Sequence, residues 1–189
     1  LELGTEEQKR RWIEPTLKGD IVWCQGYSEP GAGSDLANLK TSAHIENGEF
    51  VINGQKIWTS TAKQADMIFC LVRTEPDAPK HGGISYLIFS MDTPGIEVRP
   101  LKTMTGHAEF NETFFTDATC PKDDVVGGVN NGWGVAMTLL GYERGEAPPD
   151  VRTYVDLRQN ANRTAAALVA RGLERGDRFG LMMRNHPGS

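Results

Sequence analysis

Ala43-His44-Ile45-Glu46-Asn47-Gly48-Glu49-Phe50-Val51-Ile52 is two short runs of strand-forming residues joined by Asn47-Gly48. Asn-Gly tolerates the left-handed backbone that a two-residue turn needs at both central positions, so this stretch predicts a β-hairpin. Asn53-Gly54 follows at once and is expected to turn the chain again. Downstream, Met67 to Arg73 and Ile84 to Phe89 are apolar runs of strand length. Ile96 to Val98 and Phe110 to Phe115 complete about seven short strands separated by turn residues. The expected fold class is therefore mainly β, a small barrel or sandwich flanked by helical pieces.

Upstream, Thr5-Glu6-Glu7-Gln8 has capping-box spacing, so a helix is expected from about Glu6 to Leu17, ending at Gly19. After Pro121 the texture changes again. Gly127 to Gly132 reads as a loop, and Trp133, Met137, Leu140 and Tyr142 open a helix that ends near Gly145. The segment from Glu146 to Asp150 carries two prolines and reads as a joint. Beyond it Tyr154, Leu157, Ala161, Ala165, Leu168 and Val169 recur at helical spacing, Gly172 closes the run, and Phe179 to Met183 has strand character.

Composition narrows the class. The 189 residues are 39% hydrophobic and 24% charged, the texture of a globular protein with room for one domain and fragments of others. The longest apolar stretch, Met67 to Val72, is far short of the roughly 20 residues a membrane span needs. No basic, apolar, small-residue leader opens the chain, and the absence of Met at position 1 suggests a fragment. A net charge of −5 with scattered basic residues argues against nucleic-acid binding. Cys24, Cys70 and Cys120 are widely spaced, with no His at ligand spacing, so reduced thiols in a cytoplasmic protein are expected and no metal site.

The chemistry-bearing segment is Trp23-Cys24-Gln25-Gly26-Tyr27-Ser28-Glu29-Pro30-Gly31-Ala32-Gly33-Ser34-Asp35, a strand that runs into small residues. Gly31, Ala32 and Gly33 leave the backbone open to a flat ligand or a pyrophosphate, and Ser28 and Ser34 offer hydroxyls. The same residues read equally well as a solvated Pro-Gly turn. The glycine spacing fits neither a dinucleotide fingerprint nor a P-loop, and Ser28 does not sit in a nucleophile elbow.

Ser28 to Asp35 resembles the (T/S)EPxAGSD signature of acyl-CoA dehydrogenases. Asn53-Gly54-Gln55-Lys56-Ile57-Trp58-Thr59-Ser60 is similar to that family's second flavin-contact strand. Met104 to Gly106 with Phe110 to Phe115, and Tyr142-Glu143-Arg144-Gly145, resemble the exit strand and the start of the C-terminal helical domain. The resemblance implies the end of an N-terminal helical domain at 1–20, a flavin-binding β-barrel at 21–120 and the start of a helical domain at 121–145.

By the same resemblance FAD is the cofactor, and Gln25, Gly26, Tyr27, Ser28, Gly31, Ala32, Gly33 and Ser34 run along it, Ser28 bonding the isoalloxazine. Trp58, Thr59 and Ser60 take its other side, although an aromatic in a strand is by itself more often core, and Ser34 also touches the CoA of the substrate. An acyl-CoA substrate, an electron acceptor such as electron-transfer flavoprotein and a homo-oligomeric parent enzyme are implied. The family's catalytic carboxylate comes from its C-terminal domain, so no catalytic residue is nominated here. Glu29, Glu109 and Glu112 read as structural or exposed.

Residues 146–189 differ in character. Thr153 to Leu157, Asn162 to Leu168, Arg175-Gly176-Asp177-Arg178 and Arg184-Asn185-His186-Pro187 resemble the N-terminus of AMP-forming acyl-CoA ligases, which would make the chain a fusion of two incomplete pieces. A non-catalytic β-barrel interaction module is the remaining reading.

Overall fold

The computed structural model describes residues 2–104 and 106–143. The expected joint at 146–150, the tail helix and the tail strand lie outside the described residues. The chain divides into two units, Leu1–Ala136 and Met137–Ser189, and the described part of the second is the C-terminal half of one helix.

The first helix, α1 (Glu6–Lys18), carries both halves of the predicted capping box and ends on Gly19, whose φ of 78° closes it in the left-handed conformation. Then come β1 (Trp23–Gly26), β2 (Ser42–Glu46), β3 (Glu49–Ser60), β4 (Met67–Arg73), β5 (Ile84–Ser90), β6 (Ile96–Leu101), β7 (Phe110–Pro121), β8 (Val125–Val126) and helix α2 (Gly132–Glu143). The expectation of a mainly β chain holds, with eight strands among the described residues where about seven were expected. The closed barrel does not. The sheet runs β6-β7-β3-β2-β4-β5-β8 with its ends unpaired to each other, and β1 adds in parallel to β4. The two-residue β8 pairs only with Tyr86 and Leu87 of β5, too little ladder to bring the edges together.

Asn47 and Gly48 have φ of 51° and 86° and form the hairpin turn, with Glu46 facing Glu49. The second Asn-Gly does not turn the chain. β3 continues through it for 12 residues, and the register against β7 shifts between Ile52 and Gly54 as a β-bulge. Gly54 sits at φ 148°, and an added Cβ would lie 2.6 Å from the Thr41 Cα. Here a glycine serves a strand that another backbone approaches closely, which local sequence cannot tell from a turn. Asn53 holds the bulge from outside, its amide donating to Asp117 Oδ1 at 2.9 Å and its carbonyl oxygen accepting from the Asp117 amide at 3.0 Å.

Inward-facing residues of alternate strand positions make one core: Phe50 and Ile52, Ile68, Cys70 and Val72, Leu87 and Phe89, Phe115, Ala118 and Cys120. Outside it, Trp12 of α1 packs edge-on to Trp23, and Gln8 donates to the Asp123 and Val125 carbonyls, so α1 is held through its first turn and its middle. Among the described residues no helix is long and apolar enough to cross a membrane.

Gly54→Ala is expected to destabilise the chain by about 2 kcal/mol, because the new Cβ meets backbone rather than a movable side chain. Chemical denaturation measures it, and a loss under about 0.5 kcal/mol would contradict the tight approach to Thr41.

Candidate functional site

Parallel pairing of β1 with β4 sets Gln25 beside Phe69, and Trp23 two residues back lies on the same face. The chain then leaves β1 through Tyr27 and Ser28 and crosses to β3, where the Ile57 amide donates to the Ser28 carbonyl at 2.9 Å. Between these two segments lies a cleft of about 350 Å³, lined by Trp23, Cys24, Gln25, Tyr27, Ser28, Ile57, Trp58, Ser60, Thr61 and Phe69. Aromatic rings line it: Tyr27 meets Phe69 edge-on at 5.9 Å, and outside the lining Tyr86 stacks on Phe69 at 6.0 Å.

Trp58 is the unusual member. It is 58% exposed and has φ of 61°, a left-handed conformation that bulky side chains avoid. It lies in a second bulge of β3, between Lys56 and Thr59, where the register against β7 slips. The extra residue shifts the alternation. Lys56 and Thr59 both face the interior, while Ile57 and Trp58 between them reach the cleft. Apart from Phe110, edge-on at 5.9 Å, no ring contact holds Trp58 among the described residues.

The segment after Ser28 is a tight turn. The Glu29 amide donates to the Ala32 carbonyl at 2.9 Å, and the Ala32 amide returns the bond at 3.0 Å. Gly31 and Gly33 are exposed and have no left-handed φ, and a Cβ on either would meet nothing within 4 Å. Neither glycine is required by the chain's own packing or backbone, so the open surface they leave suits an external partner. Ser34 is exposed beside them.

Behind the cleft, Glu29 and Lys56 form a buried ion pair at 2.8 Å, with side chains 7% and 0% exposed. The Glu29 carboxylate also accepts from the Lys40 amide at 2.6 Å and the Thr41 amide at 3.0 Å. Burial by itself would raise the Glu29 pKa; the Lys56 charge and the hydrogen bonds from Lys56, Lys40 and Thr41 outweigh it and hold the carboxyl below its ordinary value. The Lys56 ammonium donates in addition to the Tyr27 carbonyl at 3.1 Å.

With this geometry in place, comparison with known proteins gives a match of residues 24–118 to the acyl-CoA dehydrogenase middle domain. The chain belongs to the acyl-CoA dehydrogenase family. Acyl-CoA dehydrogenase FadE34 of Mycobacterium tuberculosis is 52% identical over 144 residues, covering 76% of this chain and 20% of that protein. Acyl-CoA dehydrogenase IpdE1 of the same organism is 47% identical over 169 residues, covering 87% of this chain and 44% of that one. A solved structure described as the Tcur3481-Tcur3483 steroid ACAD superposes with a TM-score of 0.72 at 39% identity, over 93% of this chain and 45% of its own. The chain spans less than half the length of these relatives.

Within this acyl-CoA dehydrogenase segment, Gln25, Tyr27, Ser28, Trp58 and Ser60 of the residues nominated from sequence meet in the cleft. Gly26 and Thr59 do not: a Cβ on Gly26 would strike Ile68 and Cys70, and the Thr59 side chain is fully buried. Gly31, Ala32, Gly33 and Ser34 lie in the turn beyond the cleft lining. Trp23, Cys24, Ile57, Thr61 and Phe69 line it without having been nominated. Strand alternation was the available signal for Trp23, two residues before Gln25, whereas Phe69 joins only through a parallel pairing 44 positions away. Cys24 is buried, and that burial, then the neighbouring Cys70, pushes its thiol up to about 12, far from a reactive thiolate.

Because Trp58 is mostly exposed and its backbone strained, Trp58→Gly is expected to keep stability within about 1 kcal/mol of wild type, strain relief offsetting the lost Phe110 contact. A denaturation curve showing a loss above about 2 kcal/mol would refute that balance. Glu29 makes a pH-dependent contribution. Its folded pKa is depressed, so the stability it adds is full above the ordinary glutamate value of about 4.3 and is lost as pH falls through the lower folded value. The stability difference between wild type and Glu29→Gln should therefore shrink on acidification below pH of about 4; a difference constant from neutral to acid pH would contradict it.

Proposed function

We propose that this chain is the flavin-holding middle portion of an FAD-dependent acyl-CoA dehydrogenase, an oxidoreductase that introduces a double bond between Cα and Cβ of acyl-CoA thioesters. The observation that carries the reading is Trp58, raised on a strained bulge in the lining of the cleft that it shares with Ser28. A protein keeps such strain where an outward-facing ring has something to contact. The isoalloxazine fits the residues present: a cleft with aromatic and hydroxyl lining, and beyond it a turn whose Gly31 and Gly33 leave the backbone uncovered.

In this reading Gln25, Tyr27 and Ser28 form one wall, with Ser28 hydrogen-bonding the ring. Trp58 and Ser60 form the other, Ser60 near the reactive edge. Gly26 and Thr59 serve through their backbone, since their side-chain directions point into the core. The turn at Gly31 to Gly33 lies along the pyrophosphate, and Ser34 touches the CoA. When bound, flavin would supply the acceptor for a hydride from the β-carbon, and an electron acceptor such as electron-transfer flavoprotein is the implied partner. We assign the α-proton to no residue of this chain; Glu109 is exposed and Glu112 bonds Gln55, both outside the cleft lining. The whole enzyme is read as a homo-oligomer with 1–20 and 121–145 belonging to its flanking helical domains. Three buried thiols without disulfides suit a reducing cytoplasm. The steroid named in one structural neighbour's description supports a bulky acyl group.

Titrating FAD with the purified chain is expected to change flavin fluorescence, and Trp58→Ala is expected to weaken binding about tenfold, ~1.4 kcal/mol. An unchanged flavin signal with wild type would overturn flavin holding by this chain. Dye reduction by an acyl-CoA is expected to be absent with FAD present, as no base is assigned.

A second reading concerns residues 146–189, which we infer to derive from an AMP-forming acyl-CoA ligase on the resemblance of Asn162 to Leu168 and Arg175 to Arg178. Long-read sequencing across the codons for Arg144 to Arg152 tests it: one continuous frame supports a fusion, two separate genes oppose it.

A further inference from the structure

The Glu29–Lys56 pair is costly where it lies. Two charges withdrawn from water are in general no better for stability than apolar residues of the same volume, so retention of such a pair calls for another reason. Its position supplies one. Glu29 directly follows Ser28 and Lys56 directly precedes Ile57, and Ser28 and Ile57 both line the cleft and share a backbone hydrogen bond. The pair thus joins the two cleft-lining segments where they meet, one residue from the surface that faces the ligand.

The other bonds of the pair converge on the same loop. Lys56 Nζ holds the Tyr27 carbonyl at 3.1 Å, the peptide that carries Ser28. The Glu29 carboxylate takes the Lys40 and Thr41 amides at 2.6 and 3.0 Å, fixing where the loop returns to the sheet. Between these points, among the described residues, the backbone of the turn from Glu29 to Ala32 is held by its two reciprocal bonds, and a Cβ on Gly31 or Gly33 would meet nothing within 4 Å. On the other wall, Lys56 is the last paired residue before the bulge that lifts Trp58.

We propose that the buried Lys56–Glu29 pair is a positioning device for the cleft: it sets the separation and register of the Ser28 wall and the Trp58 wall, so that both meet a planar ring at once. That ring is the flavin if the function proposed above is right, and this inference rests on that reading. Neither side chain touches the ligand. Both act through the residue next to them.

The test is a charge-free pair, Lys56→Met with Glu29→Gln, which leaves no unpaired buried charge, and Lys56→Gln with Glu29→Gln as a second charge-free variant. Amide hydrogen exchange is followed in the full chain, with FAD as the ligand probe. The expected result is at least tenfold faster exchange across residues 28–41, with β4 and β5 (Met67 to Ser90) as protected as in wild type. At saturating FAD the visible band of the bound flavin is expected to change shape, a signature that a merely stabilising pair would not move. Unaltered exchange over 28–41 in a folded variant overturns the proposal. So does an equal rise across β4 and β5 in both variants, since the pair then holds the whole sheet. Should wild type leave FAD untouched while the loop alone loosens in the variants, the flavin reading falls and the positioning of the cleft walls stands.

Discussion

A lysine ammonium buried among strands must be neutralised and hydrogen-bonded or the fold loses several kcal/mol. Lys56 meets this demand with the Glu29 carboxylate and the Tyr27 carbonyl, and Glu29 in turn satisfies two amides of the chain returning to β2. One interaction therefore binds three segments that the sequence keeps apart: the exit of β1, the start of β2 and the middle of β3. The Ser28–Ile57 backbone bond, the Glu29–Ala32 turn and the cleft above them all presuppose that these segments have been brought together.

β3 is the other organising element, because two irregularities with different tasks lie along it. Beside Gly54 the extra residue belongs to β7, where Asp117 is held by Asn53, while Gly54 itself admits the Thr41 backbone. At Ile57 and Trp58 the bulge changes which residues face outward, and a ring that regular alternation would place on the same face as Lys56 is turned to solvent. The first bulge serves packing, and the second shapes a surface. Their proximity in one 12-residue strand explains why a short stretch contributes both to the core and to the site.

Much of the local structure was legible. The capping box at Thr5 and Gln8, the Gly19 stop, the Asn47-Gly48 turn and the bounds of β4 follow from interactions within a few residues, where propensity and hydrogen bonding act without help from the rest of the chain. The second Asn-Gly misled because a glycine is needed as much where another backbone approaches a strand as in a turn, and only the approach of Thr41 distinguishes them. The site was half legible for a similar reason. A contiguous motif cannot all face one ligand when strand residues alternate, so Gln25 lines the cleft while Gly26 faces Ile68 and Cys70.

By itself, then, the sequence determined the family, the mainly β character, the ends of the first helix and the hairpin, because each is written in local spacing or in an ordered set of motifs. Tertiary structure alone decided that the sheet stays open, that β1 lies parallel to β4, that Lys56 is buried and that Trp58 stands out. These depend on pairings between residues far apart in the chain. Their free energies arise from burial and from register across strands, quantities that no short window of sequence contains.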